Sequence, residues 1–481
     1  MPQSSHSHHV PLSGKPPEHP KDWEVVKRRI STTLPRDIRR IQDATKGMQV
    51  NRRETVYGGL IGIALMEYHL SGMPAALQDD LTSPALLSAA DNHLAQVIHH
   101  HPGYLYNPNY ISFMTSSVGT AALVLTRRSS TSEKSIANDW VAARDYLRTT
   151  IDQVLSEDLD LNSPSGMDDG CEFLYGRAGL LYALLYLRKG ASGDQRREMA
   201  PFEDLIAEAN LSSLVDAIIC RGKHGASSLS LDVGTTDPQR LPPLLWTWRG
   251  KHYLGAAHGI AGILQVLLNC PISIIRKHIP VIFSTISWLL DCQDDSDNWP
   301  SKYPTSTTPN ELVQWCLTAP GVIILLSTAL RVLHGYEGMI STEGLEDKLS
   351  HSLRLSADLV YKNGLPHKGV GLCHGASGSV YALLAVSDAL DTPTDRHFFS
   401  KAAHLAFLAT SHEDMTASGE MTVPDRPWSL YEGLAGMCCA WAEILCRLDF
   451  NGPRHSVSGF PGYNDLAIPN YLYQARTISM L

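Results

Sequence analysis

Residues 375–384 read GASGSVYALL, in which two glycines three positions apart are followed at once by an apolar run. The pattern recurs in full at GLIGIALM (59–66), GRAGLLYALLYL (176–187), GIAGILQVLL (259–268) and GLAGMCCAWAEIL (433–445). Two further copies, SSVGTAALVL (116–125) and TAPGVIILLSTAL (318–330), keep only the second glycine. The second glycines lie at positions 62, 119, 179, 262, 321, 378 and 436, so the intervals are 57, 60, 83, 59, 57 and 58 residues. A nearly fixed interval of this kind indicates a repeat architecture.

Each repeat combines an amphipathic helical pattern with a glycine turn and an apolar helix. The amphipathic patterns are clearest at 138–158, 278–293, 349–362 and 396–412. A helix that is apolar all round is buried, whereas a half-polar helix faces solvent. Seven such hairpins form either an open solenoid, which needs polar terminal repeats, or a closed ring. Because the first and last repeats are as apolar as the middle ones, we predict an all-α, double-layered α/α toroid (barrel) of seven helical hairpins.

The glycines also predict where the turns lie. Glycine permits positive φ and a close approach of backbones, so all seven turns are expected at one end of the ring. The interval of 83 residues brackets a Gly/Ser/Pro-rich insertion at 223–248, predicted to be a long surface loop. The predicted domains are a disordered polar N-terminal segment (1–21), the toroid (22–450) and a C-terminal tail (451–481).

Composition limits the classes of function. The chain has 481 residues, of which 43% are hydrophobic and 19% charged, with a net charge of −9. A large core can therefore form, and the acidic balance argues against nucleic acid as the partner. Nine scattered cysteines favour a reducing compartment, so we expect a cytoplasmic protein, with peripheral contact at the plasma membrane left open. The uncharged stretches 255–275 and 312–330 are interpreted as buried core helices, and no transmembrane segment is predicted.

The repeat register brings metal-binding residue types together. Five positions before the second glycine stand Cys316 and Cys373, and four positions before it stand His374, His258 and Glu432. Zinc takes cysteine and histidine ligands, and three protein ligands leave a fourth position for substrate. Cys316, Cys373 and His374 form such a set, with His258 as a fourth ligand or an acid/base group. The alternative is that the cysteines pack as small buried hydrophobes.

Six strings in order carry a resemblance: CEFLYGRAGLLYALL, WRGKHYLGAAHGIAGIL, NWPS, LVQWCLTAPGVI, KGVGLCHGASG and RPWSLYEGLAG. Together they resemble the eukaryotic lanthionine synthetase C-like proteins. The resemblance implies a seven-hairpin toroid, one zinc ion held by Cys316, Cys373 and His374, and an active-site histidine at His258. It also implies glutathione, or another small thiol, as a partner, added to dehydroalanine or dehydrobutyrine in a peptide or protein. A lysine five residues before the CHG cysteine is linked to glutathione and is Lys368 here.

Further residues near these motifs are candidates for the site. Glu172, before the LYGRAG turn, is a second acid/base group or the residue that orients a ligand, and the alternative is a carboxylate that caps a helix. Arg249 and Tyr253, just ahead of His258, are candidate substrate-binding residues together with Lys368. The family usually has WCHGAPG where this chain has WCLTAPG, so Leu317 and Thr318 replace His and Gly beside the zinc cysteine.

Three functions follow from these residues. The first is zinc-dependent thiol addition, in which His258 moves the proton. The second is a non-catalytic zinc- and glutathione-binding regulatory protein, which the Leu317–Thr318 departure keeps open. The third is a carbohydrate-active enzyme, because α/α toroids also host that chemistry. It needs two carboxylates, and Glu432 is the only one in the turn register.

Overall fold

The computed structural model of the chain describes residues 8–50, 54–73, 76, 81–101, 103–157, 169–190, 200–233, 241–304, 310–336, 338–449 and 459–466. The predicted segment 1–21 and tail 451–481 therefore lie partly outside the described residues, at 1–7, 451–458 and 467–481.

The described helices form two concentric layers. The inner helices are α2 (Leu60–Ser71), α4 (Ser117–Arg127), α6 (Arg177–Gly190), α8 (Ile260–Leu268), α11 (Ala319–Val332), α13 (Ala376–Leu390) and α16 (Leu434–Asp449). The outer helices are α1 (Pro20–Thr45), α3 (Ser83–His100), α5 (Lys134–Glu157), α7 (Glu208–Val233), α10 (Ile279–Leu290), α12 (Leu345–Lys362) and α14 (His397–Ala409). Each inner helix follows a glycine turn and is buried almost throughout, as its all-round apolar sequence predicts.

The inner helices close into a ring. Each packs on the next in chain order, and α16 packs back on α2. The turns in front of them are also joined by backbone hydrogen bonds between equivalent positions. Tyr57 N–H donates to Met114 O (2.9 Å), and Tyr431 N–H donates to Tyr57 O (3.2 Å), which joins the last turn to the first. The predicted seven-hairpin α/α toroid, with its turns at one end, is therefore confirmed.

The second glycine of each turn is required because the backbone of the same turn passes very close to it. A Cβ on the second glycine of each turn would meet the carbonyl oxygen six residues earlier, at 2.1 Å for Gly62, 2.2 Å for Gly119 and 1.8 Å for Gly262. Real Cβ atoms do not approach backbone oxygens this closely. Positive φ, the other reason predicted for these glycines, is not found at any of the seven second glycines. The repeat interval thus records a steric requirement at the start of each inner helix.

The predicted loop at 223–248 is wrong in its first half. Helix α7 continues to Val233, and its two glycines serve packing: a Cβ at Gly222 would lie 2.7 Å from the Trp246 ring, and one at Gly225 would lie 2.2 Å from Leu245 O. The two glycines leave room for the chain at Leu245 and Trp246 to pack against this helix. Residues 234–240 lie outside the described residues.

Smaller elements complete the described structure. Strands β1 (His252–Tyr253) and β2 (Lys302–Tyr303) pair antiparallel. The short helices are α9 (Ile272–Ile275), α15 (His412–Ala417) and the 3₁₀ turns Ala200–Phe202, Arg276–His278 and Leu333–Tyr336. One described helical stretch, Ala319–Tyr336, is long and apolar enough to cross a membrane by length and composition, but 83% of it is buried inside the protein. That burial is what the sequence predicts for a core helix of the ring.

The N-terminal segment departs from the predicted disorder over its described part. Val10 N–H donates to Leu365 O (2.7 Å), and His367 N–H donates to His8 O (3.2 Å). Val10 is 4% exposed, so an apolar side chain anchors this arm. The arm thus pairs with the backbone of residues 365–367, which belong to the loop that leads to Cys373.

Candidate functional site

The ring of turns brings Cys316 and Cys373 side by side. Cys316 N–H donates to Cys373 O (3.3 Å), and Cys373 N–H donates to Tyr431 O (2.8 Å). The Cys316 and His374 side chains both act on the pKa of Cys373, so both lie near its thiol. Cys373 is only 4% exposed, whereas Cys316 and His374 are half-buried. Cys373 therefore lies beside each of the other two side chains predicted as zinc ligands, and the zinc set itself stays a prediction.

The chemistry of this set suits a cation. The hydrogen bond with Cys316, together with burial, raises the pKa of Cys373 well above its ordinary value. Burial lowers the pKa of His374, but its hydrogen bond with Cys373 and that thiol's charge outweigh burial and raise it. Two thiolates this close in a buried place repel each other, and a divalent ion would neutralise both. Two sulfurs and one imidazole nitrogen are a donor set that zinc prefers.

Tyr57 is a member of this site that the motif analysis missed. Cys373 acts on the pKa of the Tyr57 hydroxyl, so the two side chains are close, and the Tyr57 ring stacks on Tyr431 with centroids 5.2 Å apart. Burial, followed by the charge of Cys373, raises the pKa of Tyr57. Tyr57 stands five positions before Gly62, in the register of Cys316 and Cys373. That register was the signal that could have found it.

His258 and Glu172 form a buried pair across neighbouring turns. His258 Nδ1 lies 3.0 Å from Glu172 Oε2. The Glu172 carboxylate also accepts backbone N–H bonds from Leu174 (2.7 Å) and Tyr175 (2.6 Å). Because all of these bonds need an acceptor at Glu172, Nδ1 carries the proton and Nε2 is the basic nitrogen of His258. Glu172 is thus bonded to His258 and to two N–H groups of the turn before α6, and its predicted role as a second acid/base group stays a prediction.

Burial raises the pKa of Glu172, while the hydrogen bond and charge of His258 and the two backbone N–H groups oppose that rise. A carboxylate with both oxygens already bonded in this way is not free to act as one of the two carboxylates of a glycoside hydrolase. Glu432 at the last turn has a buried Oε2 with no hydrogen-bond partner among the described residues. Its charge acts on His374, which places it beside the cysteine set.

Aromatic rings wall in His258. The Trp248 ring is parallel to the imidazole, with centroids 3.6 Å apart and planes 4° apart. Tyr175 stacks on both rings, 5.9 Å from Trp248 and 5.7 Å from His258. Tyr253 lies 5.8 Å from His258 at a tilt of 58°. Trp248 was not singled out from the sequence, because nothing in the repeat register marks the residues of the insertion. Tyr175 was missed although it stands four positions before Gly179, in the register of His258, His374 and Glu432.

Arg249 is held over this wall by a tight turn. Trp248 and Lys251 form an isolated bridge, and the two residues between them have positive φ, 49° at Arg249 and 68° at Gly250. This is the conformation of a type I′ hairpin turn. The Arg249 guanidinium carbon lies 4.7 Å from the Trp248 ring centre. The candidate substrate-binding residues Arg249 and Tyr253 are therefore both next to the His258 wall.

Lys368 lies on the cysteine side of the site. It is exposed, and its charge acts to lower the pKa of His374. The loop before it is fixed, because Thr422 N–H donates to His367 O (2.7 Å) and the N-terminal arm pairs with the same loop. An exposed lysine at the rim of the metal-binding residues can meet an anionic group as a point charge.

The two residues that depart from the family pattern have different roles. The Thr318 side chain is fully buried, and its hydroxyl accepts from Gln314 N (3.0 Å) and donates to Gln314 O (3.2 Å). Thr318 therefore closes the turn. Leu317 is half-buried, and its backbone lies against Gly255, where an added Cβ would be 2.4 Å away. Only Leu317 offers this site a changed surface.

Among the described residues, the group of metal-binding residue types whose ligand atoms all lie within 4.8 Å of one another is not the cysteine set. Asp37, His412 and Glu413 place ligand atoms within 4.8 Å of one another. Asp37 and Glu413 are both already paired with two arginines, Arg36 and Arg40. Because two guanidiniums balance the two carboxylates, a cation would add repulsion there. We therefore interpret this cluster as an ion-pair network between α1 and α15.

The comparisons with known proteins agree with this architecture. The sequence profile of the lanthionine synthetase C-like protein family matches residues 51–453. LanC-like protein GCL1 of Arabidopsis thaliana is 28% identical over 319 residues, and glutathione S-transferase LANCL1 of Danio rerio is 27% identical over 275 residues. These matches cover 64% and 57% of this chain and 62% and 59% of the relatives, so the chain spans about six tenths of their length.

The solved structure of nisin cyclase has the same fold. It superposes with a TM-score of 0.53 at 16% identity and covers 89% of this chain and 98% of its own. At this low sequence identity, the likeness shows only that the two proteins share the toroid fold. The family profile, by contrast, extends over most of the chain and includes every repeat turn described above. The chain therefore belongs to the lanthionine synthetase C-like family.

Proposed function

We propose that the protein is a zinc-dependent enzyme that adds a small thiol, glutathione, to dehydroalanine or dehydrobutyrine residues in peptides or proteins. One observation carries this proposal. The His258–Glu172 pair and the Cys316–Cys373–His374 set lie on adjoining turns, because Ala257 N–H donates to Cys316 O (3.1 Å). A proton-transfer group is thus next to a thiol-binding donor set. The name of the zebrafish relative, a glutathione S-transferase, supports the class of reaction.

Cys316, Cys373 and His374 would hold one zinc ion. Bound zinc lowers the pKa of a coordinating thiol, so that it is deprotonated at neutral pH. With two protein thiolates and a neutral imidazole the set is already charge-balanced, and a third, substrate sulfur keeps negative charge and nucleophilicity. The Tyr57 hydroxyl lies near Cys373 and would orient this protein thiolate by donating a hydrogen bond to it.

His258 handles the proton. Addition forms one C–S bond at the β-carbon of the alkene, breaks its π bond and requires a proton at the α-carbon. His258 Nε2 takes the thiol proton and returns it to the α-carbon, so no proton is gained or lost overall. Glu172 acts as a positioning residue, because its bond to Nδ1 fixes the tautomer that this exchange needs. Trp248 and Tyr175 hold the plane of the ring.

Charged residues at the rim would bind the substrates. Lys368 is next to the cysteine set, where a carboxylate of a bound thiol tripeptide would lie. Arg249 and Tyr253 are next to His258, where the peptide carrying the alkene would lie. This division gives the two substrates opposite sides of one pocket.

The test is zinc content and turnover in the same preparation. Elemental analysis should give about one zinc per chain. Mass spectrometry of a dehydroalanine peptide incubated with glutathione should show the thioether adduct forming faster with the protein than without it. Purified, folded protein that holds zinc but gives no acceleration with glutathione, cysteine or homocysteine would refute the catalytic part.

A second function, a non-catalytic zinc- and glutathione-binding regulator, is favoured by Leu317. An apolar, half-buried side chain stands next to the metal cysteine where the family usually has histidine. Restoring the family residue by Leu317→His separates the two functions. If the natural protein is a binder, the substitution should create or sharply raise turnover, whereas an enzyme adapted to leucine should lose some of it.

A further inference from the structure

A segment of the C-terminal region lies inside the ring. Residues 459–466 are largely buried: Phe460 is 1% exposed, Tyr463 is 0% exposed and Leu466 is 4% exposed. The segment doubles back on itself: Tyr463 N–H (3.0 Å) and Asn464 N–H (2.9 Å) both donate to Phe460 O. We name residues 459–466 the plug. Its tip is formed by Phe460, Pro461, Gly462 and Tyr463.

The plug is anchored by polar contacts to the inner helices. Tyr182 Oη donates to Asp465 Oδ1 (2.6 Å), and Gln265 Nε2 donates to Asn464 Oδ1 (2.9 Å). The Lys189 ammonium also donates to Asp465 O. Tyr182 and Gln265 lie about halfway along α6 and α8, and Lys189 lies near the end of α6 farthest from the glycine turns. The plug therefore occupies the bore of the toroid, with its tip towards the turns.

The backbone of the tip is built for this place. Gly462 has φ of 80° and donates to the Asp465 carboxylate (3.1 Å). A Cβ at Gly462 would lie 3.3 Å from Tyr431 Oη and 3.5 Å from Met114 Sδ. A left-handed residue with this little space has to be glycine. The tip is thus shaped against the residues of the turns.

The tip touches a neighbour of each candidate metal cysteine. Phe460 stacks on Trp315, the residue before Cys316, with centroids 5.1 Å apart, and Tyr463 packs on the same indole at 5.0 Å. On the other side Tyr431 Oη donates to Pro461 O (3.0 Å), and Tyr431 O accepts the Cys373 N–H. Both cysteine turns therefore rest on the plug through one aromatic residue each.

We propose that the plug is a positioning element for the metal site: it fixes Trp315 and Tyr431, and through them the separation of Cys316 and Cys373. This inference rests on the proposed zinc function. It assigns a role to chain positions 459–466, which follow the last repeat and which no motif of the repeat contains. Because the plug fills the bore behind the turns, we expect substrates to reach the cysteines from the turn end.

The experiment compares two full-length variants that each lose one buried phenylalanine ring. Phe460→Ala removes the ring that stacks on Trp315. The control, Phe283→Ala, removes a ring that is 3% exposed on the outer helix α10 and packs on Tyr336. Zinc affinity is measured by competition with a chromogenic chelator, and folding by circular dichroism. Phe460→Ala should weaken zinc binding by about ten- to a hundredfold, as loss of support around metal ligands does, while Phe283→Ala binds as the unaltered protein does.

A milder substitution provides a second test in case Phe460→Ala does not fold. Tyr182→Phe removes only the hydroxyl that holds Asp465 and should shift zinc affinity in the same direction by a smaller factor. Zinc affinity that is equal in folded Phe460→Ala, Tyr182→Phe and the unaltered protein would overturn the role of the plug.

A thiol-reactivity measurement separates this inference from the proposed function. In chelator-treated protein, a maleimide should modify Cys373 several times faster in Phe460→Ala than in Phe283→Ala, because the turn that buries it has lost its support. If the unaltered protein binds no zinc, the proposed function fails, and the reactivity comparison still decides the role of the plug. Equal rates in the two variants would refute it.

Discussion

The indole of Trp248 covers the imidazole of His258, with ring centroids 3.6 Å apart and planes only 4° apart. Trp248 comes from the one interval that breaks the repeat, between the third and fourth glycine turns. His258 comes from the fourth turn itself. The insertion therefore supplies one wall of the candidate site, and the repeat supplies the residue that this wall orients.

This contact predicts the effect of replacing Trp248. Trp248→Leu should lower kcat/KM for thiol addition about tenfold, because an aromatic contact contributes about 0.5–1.5 kcal/mol and 1.36 kcal/mol corresponds to a factor of ten in rate. Trp248→Phe keeps a flat ring and should retain most of the activity. Zinc content should be unchanged in both. A Leu variant as active as the Phe variant would show that the stacking does not position His258.

Replacing His258 tests the proton step. His258→Asn should lower turnover by about two to four orders of magnitude, which is the usual contribution of a positioned acid or base. The metal set is on neighbouring turns and keeps all of its side chains, so zinc stoichiometry should not change. Steady-state kinetics with elemental analysis of the same sample decides it. Loss of zinc in this variant would instead make His258 a fourth ligand.

Glu172→Gln tests the positioning of that histidine. The carboxylate accepts three N–H bonds, from Leu174, Tyr175 and His258. An amide has only one acceptor oxygen, so at least one of these donors would face an NH₂ group. Turnover should fall about a hundredfold or more, as it does when a histidine loses the partner that fixes its tautomer. An unchanged pH–rate profile and rate would argue that Glu172 only closes its turn.

The metal set predicts a selective loss of zinc. Cys316→Ala and Cys373→Ala should each remove zinc and activity together. Cys220→Ala, at an exposed cysteine on α7, should remove neither. Asp37→Asn should also keep full zinc content, because the Asp37 cluster is already neutralised by arginines. Zinc that persists in Cys373→Ala but disappears in Asp37→Asn would reverse the assignment of the two clusters.

The fold was predictable because each repeat requires a glycine at the same position, so that glycines recur in the sequence at regular intervals. Each second glycine faces a carbonyl oxygen, and no other residue can stand there, so the period is visible without any structure. The same register predicted that Cys316, Cys373, His374 and His258 meet. Backbone hydrogen bonds do join the turns of His258, Cys316 and Cys373, because equivalent positions in neighbouring repeats of a closed ring lie side by side. That these side chains serve one metal site stays a prediction.

Tyr57 and Tyr175 escaped prediction although they stand in the repeat register, five and four positions before a second glycine. The other residues that escaped belong to segments without a period. Trp248 is in the insertion, and Phe460 is in the segment after the last repeat. Neither position has an equivalent in another repeat, so only their contacts show what they do. The helix over 223–233 was missed for a related reason: its glycines look like loop residues, whereas Gly222 and Gly225 make room for Trp246 and Leu245.

The glycine register itself can be tested by one methyl group. Gly119→Ala places a Cβ 2.2 Å from Phe113 O and 2.7 Å from Val56 Cγ2, at a turn that carries none of the predicted zinc ligands. It should destabilise the protein by about 1–3 kcal/mol, the range seen for overpacking, or more if the turn cannot shift. Gly72→Ala is the matched control, since its Cβ meets nothing closer than His69 O at 3.5 Å. Equal thermal midpoints in the two variants would contradict the steric explanation of the repeat.

Asp37 predicts how stability depends on pH. Burial raises the pKa of Asp37, but hydrogen bonds from His412 and Arg36 outweigh it, so in the folded protein this pKa lies below 3.8. A carboxyl with a depressed pKa stabilises the folded state above its unfolded pKa, and this contribution is lost as the pH falls through the folded pKa. Asp37→Asn should therefore cost about 2 kcal/mol at pH 7, because buried donors lose a charged acceptor. The gap in unfolding free energy between the two proteins should narrow below about pH 3.8.

The control for this last prediction is Asp43→Asn on the same helix. Asp43 pairs with Lys46 at 2.7 Å, but both side chains are at least 70% exposed, so the substitution should change stability by less than about 0.5 kcal/mol at any pH. Chemical denaturation at pH 7, 5 and 3 measures both variants against the unaltered protein. A gap for Asp37→Asn that stays constant between pH 5 and pH 3 would indicate that the charge of Asp37 contributes nothing and that only its shape matters. A gap that closes on acidification, with Asp43→Asn flat throughout, would assign the loss to the pairs that the buried Asp37 carboxylate makes with Arg36 on the same helix and with His412 on α15.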